Sequence, residues 1–299
     1  MMKEDIVKEN TMICRPLGKT GIKVSAIGLG GMPLSIQGRP SEEQAIEVIH
    51  RALDLGVTLI DTADSYCLDE NDKHHNEKLI AKALSLYSAD TSSIIVATKG
   101  GLMRPQGRWE VNGDPRHIQK TIRESYEALG EKKPIPLWQL HAVDDQFPLE
   151  ETLQSVREAV GEGLIRFVGL SNVTVKEIKR ARSVVEVVSV QNRYNPWDRS
   201  SEKDGVLKYC EKEGISFLPW SPLGGSRSVT KIPQIPVVRE LAQKKGVSPY
   251  QIVLAWMLAQ SPVILPIPGA SRVTSIEDSV KALKVVLTAD EQIKFATIA

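Results

Sequence analysis

Asp61, Tyr66, Lys99 and His141 are residue types that together suit proton transfer to a carbonyl oxygen. Asp61 and Lys99 stand at the ends of adjacent predicted strands, where they can form an ion pair. An ammonium beside a phenol favours the phenolate and lowers the phenol's pKa from about 10. Bringing it to about 7 takes roughly 4 kcal/mol of differential interaction. A phenol so tuned can protonate a carbonyl oxygen as hydride arrives on carbon. His141 can donate a second hydrogen bond to that oxygen and orient it. Taken singly these residues read as a helix cap, a packed aromatic, a rim lysine and a core histidine. At successive strand ends they read as one site.

The elements that position them repeat along the 299 residues. Apolar runs of strand length fall at 24–30, 57–63, 93–99, 136–143, 165–171, 187–192, 215–221 and 263–269. Most are nearly continuously apolar, as parallel strands covered on both faces are. Amphipathic helical patterns alternate with them. One has Ser41 as N-cap and Gly56 beyond its end; another has Asp114 as N-cap, Pro115 at its first turn and Gly130 at its stop. Eight strand–helix repeats predict a single (β/α)8 TIM barrel in the α/β class. The segment CRPLGKTGIKVSAIG predicts an N-terminal β-hairpin ahead of it. No linker divides the chain, so residues 13–299 read as one barrel domain and 1–12 as an N-terminal extension.

In such barrels chemistry gathers at the C-terminal ends of the strands. The other polar strand ends are Ser171-Asn172, Gln191 and Trp220-Ser221, and the last strand runs into IPGASR. A formal net charge of +1 and the lack of a basic cluster argue against nucleic acid or a membrane surface as partner. The three cysteines, Cys14, Cys67 and Cys210, give neither zinc spacing nor a disulfide framework. The charged opening and the absence of long apolar runs predict a cytoplasmic protein.

On these motifs the chain resembles the aldo-keto reductase family. The likeness runs from RPLGKTGIKVSAIGLGGM to IPGASRVTSIEDSV through DTADSY, ATKGG, LHAVD, GLIRFVGLSN, VQNRYN and WSPLGG. It implies an enzyme reducing aldehydes or ketones with NADPH, and a catalytic tetrad of Asp61, Tyr66, Lys99 and His141 with Tyr66 as proton donor. Ser171, Asn172 and Gln191 would hold the nicotinamide carboxamide, and Trp220 would stack on its ring. Ser221, Leu223 and Gly225 would line the pyrophosphate, and Gly31-Met32 would touch the cofactor from the first loop. Ser271 and Arg272 would approach the 2′-phosphate, with a helix beginning near Ser275, and Asp278 would stand near the adenine.

The chain departs from the family pattern at Cys67, where glycine is common, and in the charged loop that follows. Asp278-Ser279 stands where many members have Glu-Asn. VQNRYNPWDR with SPLGG resembles the pyridoxal reductases of bacteria within the family. Trp109, Tyr194, Trp197 and Trp220, with Arg104 and Arg108 nearby, predict an aromatic mouth suited to aromatic aldehydes or pyridoxal rather than sugars. Two competing readings are a cofactor-binding regulatory or redox-sensing subunit and a metal-dependent hydrolase or lyase using His74, His75, His141 and Asp144. Against the latter, the spacing is not that of a metal site, and His74 and His75 are expected in a solvated loop.

Overall fold

The computed structural model describes residues 12–225 and 228–298. All of the expected N-terminal extension except Met12 therefore lies outside the described residues. Strands β1 (Cys14–Pro16) and β2 (Lys23–Ser25) pair antiparallel, with Cys14 opposite Ser25. Gly18 and Gly21 turn the chain between them at φ 53° and 77°, values that glycine adopts without a Cβ clash. Leu17 and Val24 of this hairpin pack with Leu59, Ile95, Leu137, Leu218, Leu265 and Ile267, which point into the barrel. The Arg15 guanidinium donates to the carbonyls of Leu258, Ser261 and Ile264 and fastens the hairpin to the last barrel strand.

The barrel strands are β3 (Leu29–Gly30), β4 (Leu59–Asp61), β5 (Ile95–Gly100), β8 (Ile135–Leu140), β9 (Ile165–Ser171), β10 (Val187–Gln191) and β11 (Ser216–Phe217). They lie side by side in that order, all parallel. A small antiparallel ribbon, β6 (Leu102–Met103) and β7 (Glu110–Val111), stands above β5. Residues 263–269 close the barrel as its eighth strand. Leu265 N–H donates to Phe217 O on one side, and Gly28 and Gly30 N–H donate to Pro266 O and Pro268 O on the other. Phe217 N–H also donates to Val263 O, but the two prolines have no N–H to return, so the bonds on the side of Gly28 and Gly30 run one way and only isolated bridges form.

Two sequence boundaries shift. The expected first strand, 24–30, divides at residues 26–28, and its start belongs to the hairpin. His141 lies one residue beyond β8 rather than inside it.

Around the barrel run α1 (Glu42–Asp54), α2 (His75–Leu86), α3 (Pro115–Ala128), α4 (Leu149–Gly161) and α5 (Val175–Ala181). They are followed by α6 (Ser200–Lys203), α7 (Val206–Glu213), α8 (Pro236–Lys245), α9 (Pro249–Gln260), α10 (Val273–Lys281) and α11 (Ala289–Ile293). Ser41 and Gln44 form a full capping box on α1, and Asp114 accepts from Arg116 N–H at the start of α3. Each cap contributes about 1 kcal/mol. Helix α9 is apolar nearly all round because it is covered nearly all round: Trp256 stacks between Tyr194 and Phe295 at 5.7 and 5.3 Å. Among the described residues no helix is long and apolar enough to cross a membrane.

Candidate active site

Side-chain parity decides which residues enter the barrel. Leu59, Ile95 and Leu137 point inward near its base, and alternate residues of a strand share a face. Counting upward in twos brings Asp61 and Lys99 to the inward face, and His141 follows in step just past β8. Lys99 is fully buried, and its ammonium donates to Asp61 Oδ2 at 2.8 Å, Thr62 O at 2.8 Å and Tyr66 Oη at 2.9 Å. An ammonium has three hydrogens, and all three are committed. Asp61 is held in turn by Gln191 Nε2 at 2.8 Å. Tyr66 lies 3.5 Å from Asp61 Oδ2, a long contact, while its oxygen already accepts from Lys99. Its own hydrogen is therefore available to an acceptor in the mouth. The rings of Tyr66 and His141 meet edge to face at 5.8 Å.

The electrostatics correct one expectation. The phenol of Tyr66 is not lowered. Burial, and then the charge of Asp61, holds it well above the usual tyrosine range. Lys99 cannot offset this, because its single charge is shared with Asp61. Burial pulls Lys99 itself downward against the opposing pull of Asp61. Burial, with Lys99 second, pushes His141 well below the usual histidine range and leaves a neutral imidazole. Its Nδ1 has no partner among the described residues.

Behind the four lies a buried polar layer that the sequence reading missed. His74, expected in a solvated loop, is buried and precedes α2 at φ 65°. Its Nδ1 meets Glu77 at 2.6 Å, and its Nε2 meets Glu124 at 3.4 Å. Glu77 accepts from Thr98, the residue before Lys99. Burial pulls His74 down, but the Glu77 hydrogen bond and charge outweigh it and leave the imidazole raised. Asp64 is fully buried, and neither carboxylate oxygen has a hydrogen-bond partner; Lys73 lies 3.6 Å away. Burial raises its pKa to about 7, with Lys73 pulling back.

Asn76 crosses to the first loop. It donates to Gly31 O and Ser35 Oγ and accepts from Thr62. A Cβ on Gly31 would come within 2.5 Å of Asn76 Oδ1 and 2.7 Å of Asp61 O. The signal for this layer was the run DKHHNE directly before a helical pattern. The four residues of the metal reading separate: His75 meets Ser35, Asp144 accepts from Gly113 and Gln146 N–H, and His74 and His141 stand apart. Among the described residues no group of three or more such side chains is arranged to hold a metal ion.

The remaining rim residues form a connected band. Ser171 Oγ donates to Gln191 O at 2.8 Å and accepts from Asn172 Nδ2. Asn172 adopts φ 56°, donates to His141 O and accepts from Trp220 Nε1 at 2.9 Å. Ser221 has φ 49°, and Gly224 and Gly225 continue the turn at 78° and 75°, beside a partly buried Leu223. Non-glycine residues held in this region cost about 1–2 kcal/mol and concentrate at functional sites.

Met32 begins a short 3-10 turn after Gly31. Helix α10 starts at Val273, two residues before the expected Ser275, with exposed Arg272 as an N-cap whose side chain makes no capping bond. Ser271 precedes it, half-buried. Asp278 does not stand free: its carboxylate accepts from Ser248 and Gln251 at 2.6 Å and anchors the start of α9.

Residues 26–298 match the profile of the aldo/keto reductase family. The chain belongs to that family. A Schizosaccharomyces pombe protein described as an uncharacterized oxidoreductase is 38% identical over 95% of this chain and 86% of its own length. A thermostable aldo-keto reductase solved with the inhibitor epalrestat superposes with a TM-score of 0.81 at 29% identity, covering 96% of this chain and all of its own. A Klebsiella pneumoniae aldo/keto reductase solved with NADP and acetate shares the fold at a TM-score of 0.76 and 23% identity, over 91% of this chain and 90% of its own.

On this aldo/keto reductase barrel the mouth is less aromatic than expected. Tyr194 is fully buried, bonded to Glu202 and packed on Phe217 and Trp256 in the outer core. It turns away because Asn195 and Asp198 bridge the chain back on itself after β10. Trp197 lies beneath the turn at Gly224. Trp109 does reach the site: it is 45% exposed, and its ring lies 6.5 Å from both the Tyr66 and His141 rings. Cys67 is buried, its thiol pushed up to about 12 by burial, which leaves it protonated and unreactive at neutral pH.

Proposed function

We propose that this protein reduces aldehydes or ketones to alcohols with NADPH, Tyr66 giving the proton. The observation that carries the reading is the complete commitment of the Lys99 hydrogens, one of them to Tyr66 Oη. Tyr66 enters as a neutral phenol, which is the form able to donate. Its oxygen gains negative charge as the proton leaves, and the Lys99 hydrogen bond aimed at it strengthens as that charge develops. Asp61, itself held by Gln191, and the Thr62 carbonyl hold the ammonium in place. Neutral His141 offers an N–H to the same carbonyl oxygen and fixes which face lies toward the cofactor.

The residues present fit a nicotinamide dinucleotide. Ser171, Asn172 and Gln191 carry amide-matching donors and acceptors. Ser221, Leu223 and Gly225 form an open turn with Gly31-Met32 facing it in this reading. Ser271 and Arg272 precede a helix N-terminus that a 2′-phosphate can approach. Trp220 offers an indole face for the nicotinamide. Asp278, tied to α9, offers the adenine only what its two hydrogen bonds leave. When bound, NADPH supplies the hydride. The same reading takes residues 13–299 as one catalytic domain and places Trp109 as the wall against an aromatic substrate. The test is loss of NADPH absorbance with purified protein. Nitrobenzaldehyde and pyridoxal should turn over with higher kcat/KM than glucose or xylose. No turnover of any aldehyde despite tight NADPH binding would instead support a regulatory role.

A further inference from the structure

Arg104 follows the β6 strand in the loop beside the mouth and is 7% exposed. Its guanidinium has no carboxylate within ion-pair distance among the described residues. Its side-chain hydrogen bond is a long one, 3.3 Å from Nη2 to Leu68 O, and its buried Nε has no partner. Glu70 accepts from the backbone N–H of Arg104, not from its guanidinium. A buried cation normally has a counter-ion, because an unpaired one costs several kcal/mol of desolvation. Here the guanidinium carbon instead rests 3.9 Å from the centroid of the Trp109 ring. That indole is itself 6.5 Å from the Tyr66 and His141 rings. The cation therefore stands one indole away from Tyr66 and His141.

We propose that Arg104 is a specificity-determining residue that takes an oxyanion, carboxylate or phosphate, carried by an aromatic aldehyde whose ring lies against Trp109. The proposal rests on the carbonyl-reduction reading above. A guanidinium pairs with either oxyanion through charge-assisted N–H bonds, and here no carboxylate among the described residues competes for it. Trp109 serves both parts: its face holds the guanidinium by cation–π attraction, and its exposed edge receives the substrate ring. Arg108, exposed and paired with Glu110, lies outside this arrangement.

The experiment compares 4-carboxybenzaldehyde with its neutral methyl ester, and pyridoxal 5′-phosphate with pyridoxal, in wild type, Arg104→Met and Arg104→Lys. Arg104→Met should lower kcat/KM for the anionic member of at least one pair about 10–150-fold, mostly through KM. It should leave the neutral members within about twofold. Whichever pair responds identifies the oxyanion. Arg104→Lys keeps the charge without the guanidinium and should recover part of the loss. Melting temperature separates this from a structural role: a cation with no counter-ion can be replaced by methionine with Tm unchanged or raised. Equal losses for charged and neutral aldehydes, or a lowered Tm with no change in selectivity, would overturn the proposal. Absence of turnover with every aldehyde in wild type would overturn the carbonyl-reduction reading itself, a separate outcome.

Discussion

Asp64 sits two residues before Tyr66, fully buried, with both oxygens lacking hydrogen-bond partners and a pKa raised to about 7. In the unfolded chain the same carboxyl titrates at its ordinary value of 3.8. A group whose folded pKa is raised keeps its full contribution below the unfolded value and loses it as pH rises through the folded one. At about 1.36 kcal/mol per unit, ionising Asp64 removes roughly 4 kcal/mol of stability by pH 8. Part of that loss has already occurred at pH 5, so the change between pH 5 and pH 8 is about 2.5 kcal/mol. Asp64→Asn takes the titration away. Urea unfolding at a series of pH values should show the stability of wild type falling by about 2.5 kcal/mol relative to that of the variant across this window. The slope left in the variant combines His74, whose raised pKa acts in the same direction, with His75, His117 and His141, whose lowered pKa values act in the opposite one. Parallel curves for the two proteins would refute the reasoning and would mean that Asp64 is solvated or paired.

The close approach at Gly31 makes Gly31→Ala a test of how the first loop holds Asp61: overpacking should cost about 1–3 kcal/mol, read as a drop in Tm, with a fall in kcat as Asp61 shifts. Glycine-like stability would show that Asn76 moves aside freely. Arg272→Ala should weaken NADPH at least about 10-fold at low salt and leave NADH nearly unchanged, measured by fluorescence quenching. Equal losses for both cofactors would mean that Arg272 supports the fold rather than the phosphate.

Barrel order, caps and the inward parity of Asp61 and Lys99 were legible because each depends on near neighbours in sequence. Ser41 with Gln44, and Asp114 with Pro115, carry their own start signals, and strand parity needs only counting. The layer behind the site was not legible, since His74 becomes buried only because its own left-handed backbone turns it onto Glu77 and Glu124 arrives from α3. Tyr194 was misplaced because the turn after β10 reverses the chain and sends an apparent rim residue into the outer core. The direction of the Tyr66 shift failed for a related reason. Sequence names a cation beside a phenol, but only geometry shows that Asp61 spends the same charge. Arg104 was visible as a positive residue near the mouth; its lack of a counter-ion was not.

The central claim is that Tyr66 donates the proton, and Tyr66→Phe tests it most directly because the change removes one oxygen from a packed ring. The measurement pairs NADPH affinity by fluorescence quenching with single-turnover reduction of nitrobenzaldehyde. The variant should bind NADPH within about twofold of wild type while its reduction rate falls about 10²–10⁴-fold, the usual contribution of a positioned general acid. A variant that binds NADPH normally and keeps most of its reduction rate would contradict the account.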